Sequence, residues 1–449
     1  MTYNLFESGL RNLVAGVDTK VPLANGSYIT AVNFDNAAST PPFISVLNDI
    51  IKFAPWYSSI HRGNGYKSVF STNIYEAGRE IVMDFVKGDK IRDIVIFTKN
   101  TTESINLLAY KLADKSRKSV VLSTFMEHHS NDLPWRNKFI VDYVEVDRYG
   151  RLNLDDLEYK LAKYRGRVKL VTVTGASNVT GYINPIHYIA QMAHKYGAKI
   201  LVDAAQLAAH SPIDMKPSNS PEHIDYLAFS AHKMYAPFGI GVLIGPKDQF
   251  EQTEPVYKGG GTARIVTSRI VQWEESPEKD EAGSPNMLGV VALIAAIKNL
   301  KAIGLNKIAQ HENNLTNYAL SELRKIQDIQ IYTSYGYEEE KVGIIPFNIK
   351  GIYHGITAKI LADEDGIAVR NGCFCAQPYV RKLLRLNSRE IMYYLNNKGV
   401  PLPGMVRISF GLYNDYTEVD RLINALKRIC SNKDYYLSKY PLTNCGCGH

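Results

Sequence analysis

Lys199-Ile200-Leu201-Val202-Asp203 is a short apolar run closed by a carboxylate. A second run, Tyr226-Leu227-Ala228-Phe229, leads into Ser230-Ala231-His232-Lys233. Working outward, the same pattern recurs at Ile94-Val95-Ile96-Phe97, Ser119-Val120-Val121-Leu122, Leu170-Val171-Thr172-Val173 and Gly241-Val242-Leu243-Ile244. Short, continuously apolar runs are expected of strands buried on both faces, hence of a mostly parallel sheet. Amphipathic stretches such as Ile186 to Tyr196 lie between them. The expected fold is α/β, a central sheet with helices on both faces.

Beyond about residue 285 the pattern changes. Helical spacing predicts one long helix from Met287 to about Ile326. Strands are expected near Ile329 to Thr333 and Val342 to Ile349, then a helix over Ile356 to Asp363 and a strand over Val406 to Ser409. A closing helix follows, with Val419, Leu422, Ile423, Leu426 and Ile429 on one face. This reads as a smaller α+β unit. A chain of 449 residues exceeds what one compact core usually accommodates. The expected division is an N-terminal segment 1–30, a large domain 31–290, a small domain 291–435 and a cysteine-containing tail 436–449.

The formal charge of +7 is spread thinly, without the dense basic block that marks a nucleic-acid or membrane partner. The first residues have no apolar signal-peptide core. The longest apolar run, Met287 to Ile297, is shorter than the about 20 residues a bilayer requires. A cytoplasmic protein is expected. Of five cysteines, four form two Cys-x-Cys units, Cys373-Phe374-Cys375 and Cys445-Gly446-Cys447. An odd count without a signal peptide argues against a disulfide framework.

Asp203 and Lys233 both follow strand carboxyl ends, where open α/β sheets bind ligands. A desolvated lysine there can act as an amine nucleophile. A lysine and an acid at successive strand ends suit pyridoxal phosphate, the acid pairing with the ring nitrogen. Either residue alone reads more readily as a surface charge. Thr101-Thr102-Glu103-Ser104 follows another strand and precedes a helix expected to begin near Ser104. Free N–H groups and hydroxyls there suit a phosphate, although simple N-capping gives the same pattern. Glu127-His128-His129 could supply an imidazole that stacks on a cofactor and moves protons. No third ligand stands at metal spacing, so no metal is expected.

Taken together and in order, these residues resemble the class V aminotransferase-fold enzymes, most closely the group II cysteine desulfurases and selenocysteine lyases. The resemblance spans roughly residues 30 to 430. It includes Phe34-Asp35-Asn36-Ala37-Ala38-Ser39, His61-Arg62-Gly63, Met126-Glu127-His128-His129-Ser130-Asn131, Ser177-Asn178-Val179-Thr180-Gly181 and Val202-Asp203-Ala204-Ala205-Gln206. It continues through Gly259-Gly260-Gly261-Thr262, Glu281-Ala282-Gly283-Ser284-Pro285-Asn286, Val369-Arg370-Asn371-Gly372 and Val406-Arg407-Ile408-Ser409.

The resemblance implies the type I fold of pyridoxal-phosphate transferases and a role for each matching residue. Lys233 would form the Schiff base, and Asp203 would pair with the pyridinium. Gln206 and Asn178 would bond the ring hydroxyl region, and His128 would stack on the ring and move protons. Thr101, Thr102, Ser230 and His232 would hold the phosphate. Thr262 would reach the phosphate of a neighbouring subunit, implying a homodimer. Arg407, with Asn178, would bind the substrate carboxylate, a bidentate task that suits a guanidinium.

In that family a cysteine thiolate takes the sulfur of L-cysteine as a persulfide and alanine leaves, feeding iron–sulfur or other sulfur biosynthesis through a protein acceptor. Here the position falls on Cys375 in Arg370-Asn371-Gly372-Cys373-Phe374-Cys375-Ala376. Close relatives usually carry His where this chain has Cys373. The Gly-Cys-Phe-Cys string also resembles the desulfurase domain of molybdenum-cofactor sulfurases, whose further C-terminal domain has no match here. In an extended segment the two thiols would share one face, where one could resolve a persulfide on the other. Selenocysteine lyase remains an alternative, as does an aminotransferase or carbon–sulfur lyase that needs no cysteine. The tail could be a persulfide carrier, a metal-binding arm or incidental thiols.

Overall fold

The computed structural model describes residues 9–113, 118–334, 340–397 and 399–441. Cys445 and Cys447 lie outside the described residues.

The first sheet has seven strands: β1 (Asp93–Thr98), β2 (Val120–Thr124), β3 (Ile140–Val144), β4 (Val168–Thr174), β5 (Lys199–Asp203), β6 (Tyr226–Ser230) and β7 (Gly241–Pro246). Their spatial order is β1-β7-β6-β5-β4-β2-β3. Strands β6, β5, β4, β2 and β3 are parallel neighbours. Strand β7 runs antiparallel to both β1 and β6, which the apolar pattern alone did not reveal. The connection from β6 to β7, residues 231–240, is too short for the crossover of about a dozen or more residues that parallel strands require. The chain therefore turns back, and Lys233 sits in that turn. Strand β3 was missing from the sequence-based expectation because it lies at the sheet edge and alternates Ile, Val, Asp, Tyr, Val, only partly buried.

Both faces are covered. One core joins Val95, Phe97, Val202 and Phe229 to the helices Tyr66–Phe85 and Met287–Ile303. The other joins Ile96, Leu201 and Tyr226 to Ile105, Leu108, Trp135 and Phe250. The long helix expected over Met287 to Ile326 is two helices, Met287–Ile303 and Leu305–Leu323, bent by 74°. Gly304 at the break has φ +93°, a conformation open to glycine and strained for other residues. Among the described residues no single helix is long and apolar enough to cross a membrane.

The second sheet holds β8 (Ile329–Ile331), β9 (Ile344–Ile349), β10 (Arg370–Gly372) and β11 (Met405–Ser409) in the order β8-β9-β11-β10. Its core includes Leu315, Phe347, Ile408 and the apolar face of helix Tyr416–Ser431, together with Val32 and Phe34 from near the N-terminus. A small cluster of Met126, Val179, Tyr182, Phe374, Tyr379 and Met405 fills the space between loops of the first sheet and the end of the second. That cluster lies under the Cys373–Cys375 segment.

Candidate active site

The carboxyl ends of β1, β2, β4, β5 and β6 deliver residues to one region. Helix Thr101–Leu112 begins three residues earlier than the sequence suggested, because its cap is Asn100 rather than a hydroxyl residue. The Asn100 side chain accepts from the Glu103 N–H at 3.0 Å, and the Glu103 carboxylate accepts from the Lys99 N–H at 2.6 Å. Thr101 and Thr102 are thereby released from capping. The Thr101 N–H donates to Ser230 Oγ at 2.7 Å, and the two hydroxyls pair at 2.6 Å. The Thr102 and Ser130 hydroxyls pair at 2.7 Å. Gly241 makes the close approach of β7 possible, since a Cβ there would lie 2.5 Å from the Asn100 backbone. A helix N-terminus lined by hydroxyls is suited to an anion.

Lys233 follows β6 in a short helical turn. Among the described residues its amine has no hydrogen-bond or ion-pair partner. The side chain keeps some contact with the open cleft, yet surrounding atoms strip its water. Burial first, then the Arg407 charge, lowers its pKa to about 8, against the pull of Asp203, Cys375 and Asp35. At pH 7 roughly one amine in ten is then neutral, against about one in three thousand at the ordinary value.

Asp203 is buried at the end of β5. One carboxylate oxygen accepts from the Ala205 N–H at 3.0 Å. Burial raises its pKa and the Lys233 charge opposes that. The Gln206 amide donates to the Ala37 carbonyl at 2.7 Å, while its own oxygen is buried without a partner. His232 is neutral near pH 7, its pKa lowered to about 4 by burial and then by Lys233.

The loop after β2 is fixed by Glu127, whose carboxyl accepts from Thr124 Oγ1 at 2.6 Å, Asn131 Nδ2 at 2.6 Å and the Thr174 N–H at 3.0 Å. This anchoring sets the neighbouring His128. Its Nδ1 accepts from the Ser130 N–H at 3.1 Å, which assigns the proton of the neutral ring to Nε2. Burial, then Lys233, His129 and Arg407, lowers its pKa to about 3.

Arg407 comes from β11 of the second sheet and is buried. Its Nη1 donates to the Asn178 carbonyl at 2.8 Å and its Nη2 to Asp35 Oδ1 at 3.1 Å. Its Nε–H is buried without a partner, so the Nε–Nη2 edge has donor capacity to spare. Burial lowers its pKa to about 10 and Asp35 counteracts this. The Phe374 ring lies 4.9 Å from the guanidinium carbon.

The cysteine segment is not extended. Phe374 and Cys375 have φ +52° and +54°, and the Ala376 N–H donates to the Cys373 carbonyl at 2.8 Å. Positive φ at both central residues makes this a tight turn of the primed kind. The expectation that both thiols share one face therefore fails. Cys375 is exposed. Cys373 is half-buried, donates to the Pro403 carbonyl at 3.3 Å, and has its pKa raised by burial. Asn178 Nδ2 donates to the Phe374 carbonyl at 2.7 Å, and the His129 N–H to the Cys375 carbonyl at 2.6 Å.

The structure thus brings together Lys233, Asp203, His128, Arg407 and Cys375, with Thr101, Ser230, Gln206 and Asn178 around them. Thr262 stands apart, its hydroxyl donating to the Gly259 carbonyl at 2.8 Å just before the hairpin Ala263–Val266 and Val271–Trp273. Asp35, Phe374 and His129 were given no individual role from sequence. Asp35 was visible only inside a motif, and the other two act through contacts between distant segments.

The residues present fit pyridoxal phosphate. A hydroxyl-lined helix start suits its phosphate, an unpaired lysine its aldehyde and a buried acid its ring nitrogen. The orphaned Gln206 oxygen awaits a donor. Among the described residues no group of His, Cys, Asp and Glu is arranged to hold a metal.

A family model described as Aminotransferase class-V matches residues 32–422. The probable cysteine desulfurase of Halalkalibacterium halodurans is 35% identical over 420 residues, covering 92% of this chain and 95% of that protein. The cysteine desulfurase of Haloferax volcanii is 35% identical over 403 residues, covering 88% of each. Among solved structures, the apo cysteine desulfurase of Thermococcus onnurineus NA1 superposes with a TM-score of 0.78 at 31% identity, covering 90% of this chain and 95% of that one. The cysteine desulfurase CsdA of Escherichia coli, in an S-sulfonic acid form, gives 0.78 at 27% identity, covering 95% and 98%.

Proposed function

This chain belongs to the class V aminotransferase family, and from that premise we propose that it is a pyridoxal-phosphate-dependent cysteine desulfurase, converting L-cysteine to L-alanine with the sulfur kept as a persulfide on Cys375. The observation that carries this reading is the exposed thiol of Cys375 on a rigid turn, near enough to Lys233 and Arg407 for its charge to act on both.

Lys233 would hold the cofactor through its amine and would move protons to and from the substrate. Asp203 would pair with the ring nitrogen and keep it protonated. Thr101, Thr102, Ser230 and His232 would hold the phosphate, and Gln206 would bond the ring hydroxyl. Bound there, pyridoxal phosphate supplies an electron sink conjugated to the substrate nitrogen. The Nε–Nη2 edge of Arg407 takes the substrate carboxylate, with the Asn178 side chain beside it. His128, neutral and protonated on Nε2, donates and recovers a proton at the reacting centre. Cys375, as thiolate, attacks the substrate sulfur. The carbon–sulfur bond breaks, a sulfur–sulfur bond forms, the carbon takes up a proton and alanine leaves.

The same reading places 31–290 as the cofactor-binding domain and 291–435 as the smaller domain that carries Arg407 and the cysteine turn. It also places the protein in the cytoplasm as a homodimer, with Thr262 of each subunit at the other's phosphate. The exposed Ile265, Val266, Ile270 and Val271 of the adjoining hairpin support a covered surface there. A protein acceptor, in iron–sulfur or other sulfur biosynthesis, takes the persulfide. Alanine release from L-cysteine by the wild type and by Cys375→Ala tests the assignment. Loss in the variant, with cofactor absorbance retained, is the expected result. Equal release by both excludes the cysteine step.

A further inference from the structure

Cys375 occupies a backbone conformation that a cysteine does not adopt unaided. Two successive residues with positive φ, neither of them glycine, persist only where the surroundings over-determine them. The Phe374 ring packs in the buried cluster with Met126 and Tyr379 and under Arg407, and the backbone of the turn is held by hydrogen bonds from outside it. On the N-terminal side Asn178 holds the Phe374 carbonyl. On the C-terminal side both contacts come from one residue. The His129 N–H donates to the Cys375 carbonyl at 2.6 Å. The Gln377 N–H donates to His129 Nε2 at 3.3 Å. Gln377 opens helix Gln377–Leu383, whose own preceding residue Ala376 gives no side-chain cap. The imidazole therefore caps this helix from a different part of the chain.

We infer that His129 is the positioning residue for the sulfur-handling cysteine: a neutral imidazole acceptor that, with its own backbone N–H, fixes the Cys375 turn. The inference rests on the desulfurase reading of Cys375. It adds a physical link between the two halves of the reaction. His128, which serves the cofactor side, and His129, which serves the thiol side, are consecutive residues on the loop that Glu127 anchors. Movement of one is transmitted to the other without an intervening flexible segment.

The acceptor role requires Nε2 to carry no proton. Burial favours the neutral ring, as do Arg136 and Arg381, while Asp132 opposes them. His128, the other imidazole on the loop, is itself neutral. The clamp is thus intact at and above the ordinary histidine range and opens on the acid side, when Nε2 becomes a donor facing another donor.

Two variants separate positioning from bulk folding. His129→Gln keeps an acceptor near the Nε2 position, and His129→Leu removes it at similar volume. Both are assayed as holoenzymes in single turnover with L-cysteine, following persulfide on Cys375 by mass spectrometry. A misplaced reacting group costs up to about 10²-fold. His129→Leu is expected to slow persulfide formation by about 10- to 100-fold with cofactor absorbance unchanged. His129→Gln is expected to recover to within about 3-fold. Equal rates in wild type and His129→Leu overturn the inference, as does a glutamine variant as slow as leucine. Iodoacetamide alkylation of Cys375 gives a second readout independent of turnover. Its rate is expected to change by at least about 5-fold in His129→Leu, and an unchanged rate counts against the clamp. A wild type that makes no alanine from L-cysteine refutes the desulfurase reading instead, and the alkylation comparison still decides the clamp.

Discussion

The cofactor cradle and the cysteine turn are built by opposite means. In the cradle, each residue sits where a strand of the first sheet ends: Thr101 after β1, Asp203 closing β5, Ser230 closing β6 and Lys233 after it. The sheet places them, and local sequence prescribes the sheet. The cysteine turn belongs to no such frame. It follows the three-residue strand β10 and is held by Asn178, His129 and Arg407 from three other segments. A chemistry that needs only fixed charges can rest on strand ends. The thiol proposed to reach a substrate and then an acceptor sits instead on a strained, exposed turn gripped from outside.

The largest expected effect lies in the cradle. If Lys233 is the cofactor's anchor and the proton carrier, as proposed, Lys233→Ala should lower turnover by about 10²–10⁴-fold, with loss of the bound-cofactor absorbance. If absorbance and turnover persist, the cradle does not work as described. At the junction of the two regions, Arg407→Lys keeps the charge but loses the two-pronged edge. Hydrogen bonds to charged groups contribute about 1.5–3 kcal/mol, so the KM for L-cysteine should rise about 10- to 100-fold with kcat less affected, as steady-state kinetics would show.

A pH dependence separates the regions without mutation. On the proposed role, it is the neutral amine of Lys233 that would capture the aldehyde. Its pKa of about 8 means that below pH 8 the rate of cofactor binding to apo protein should fall about tenfold per pH unit, and above pH 8 it should level off. His128 and His232, at about 3 and 4, contribute no step near neutrality. A plateau beginning only near pH 10 would show that the amine is not desolvated. The smallest effect is expected at Cys373→Ala. The thiol's bond to the Pro403 carbonyl is worth under about 1 kcal/mol of stability by denaturant titration. Persulfide yield on Cys375 should change less than about 2-fold, because the turn does not present both thiols together.

The same contrast explains what could be read from sequence. The apolar runs and the charges that end them revealed the sheet, Asp203 and Lys233, since strand ends are a local property. The reversal of β7 was hidden because apolar content carries no direction, although the short 231–240 connection held the clue. Gly304 marked the break between the two long helices, but the apolar periodicity on either side masked it. The cysteine turn was not foreseen because Phe374 and Cys375 are not the glycine or asparagine that signal positive φ. Cys375 itself was visible only through its likeness to a known segment. His129 and Asp35 gain their significance from partners 248 and 372 residues away, and no local pattern announces such pairs.

A desulfurase of this design must load sulfur onto Cys375. Purified holoenzyme incubated with L-cysteine, trapped by alkylation and digested, should carry one additional sulfur atom on the peptide at Cys375, with alanine released in equal amount. Alanine formed while that peptide stays unmodified, or the extra sulfur found on Cys373 alone, would contradict it.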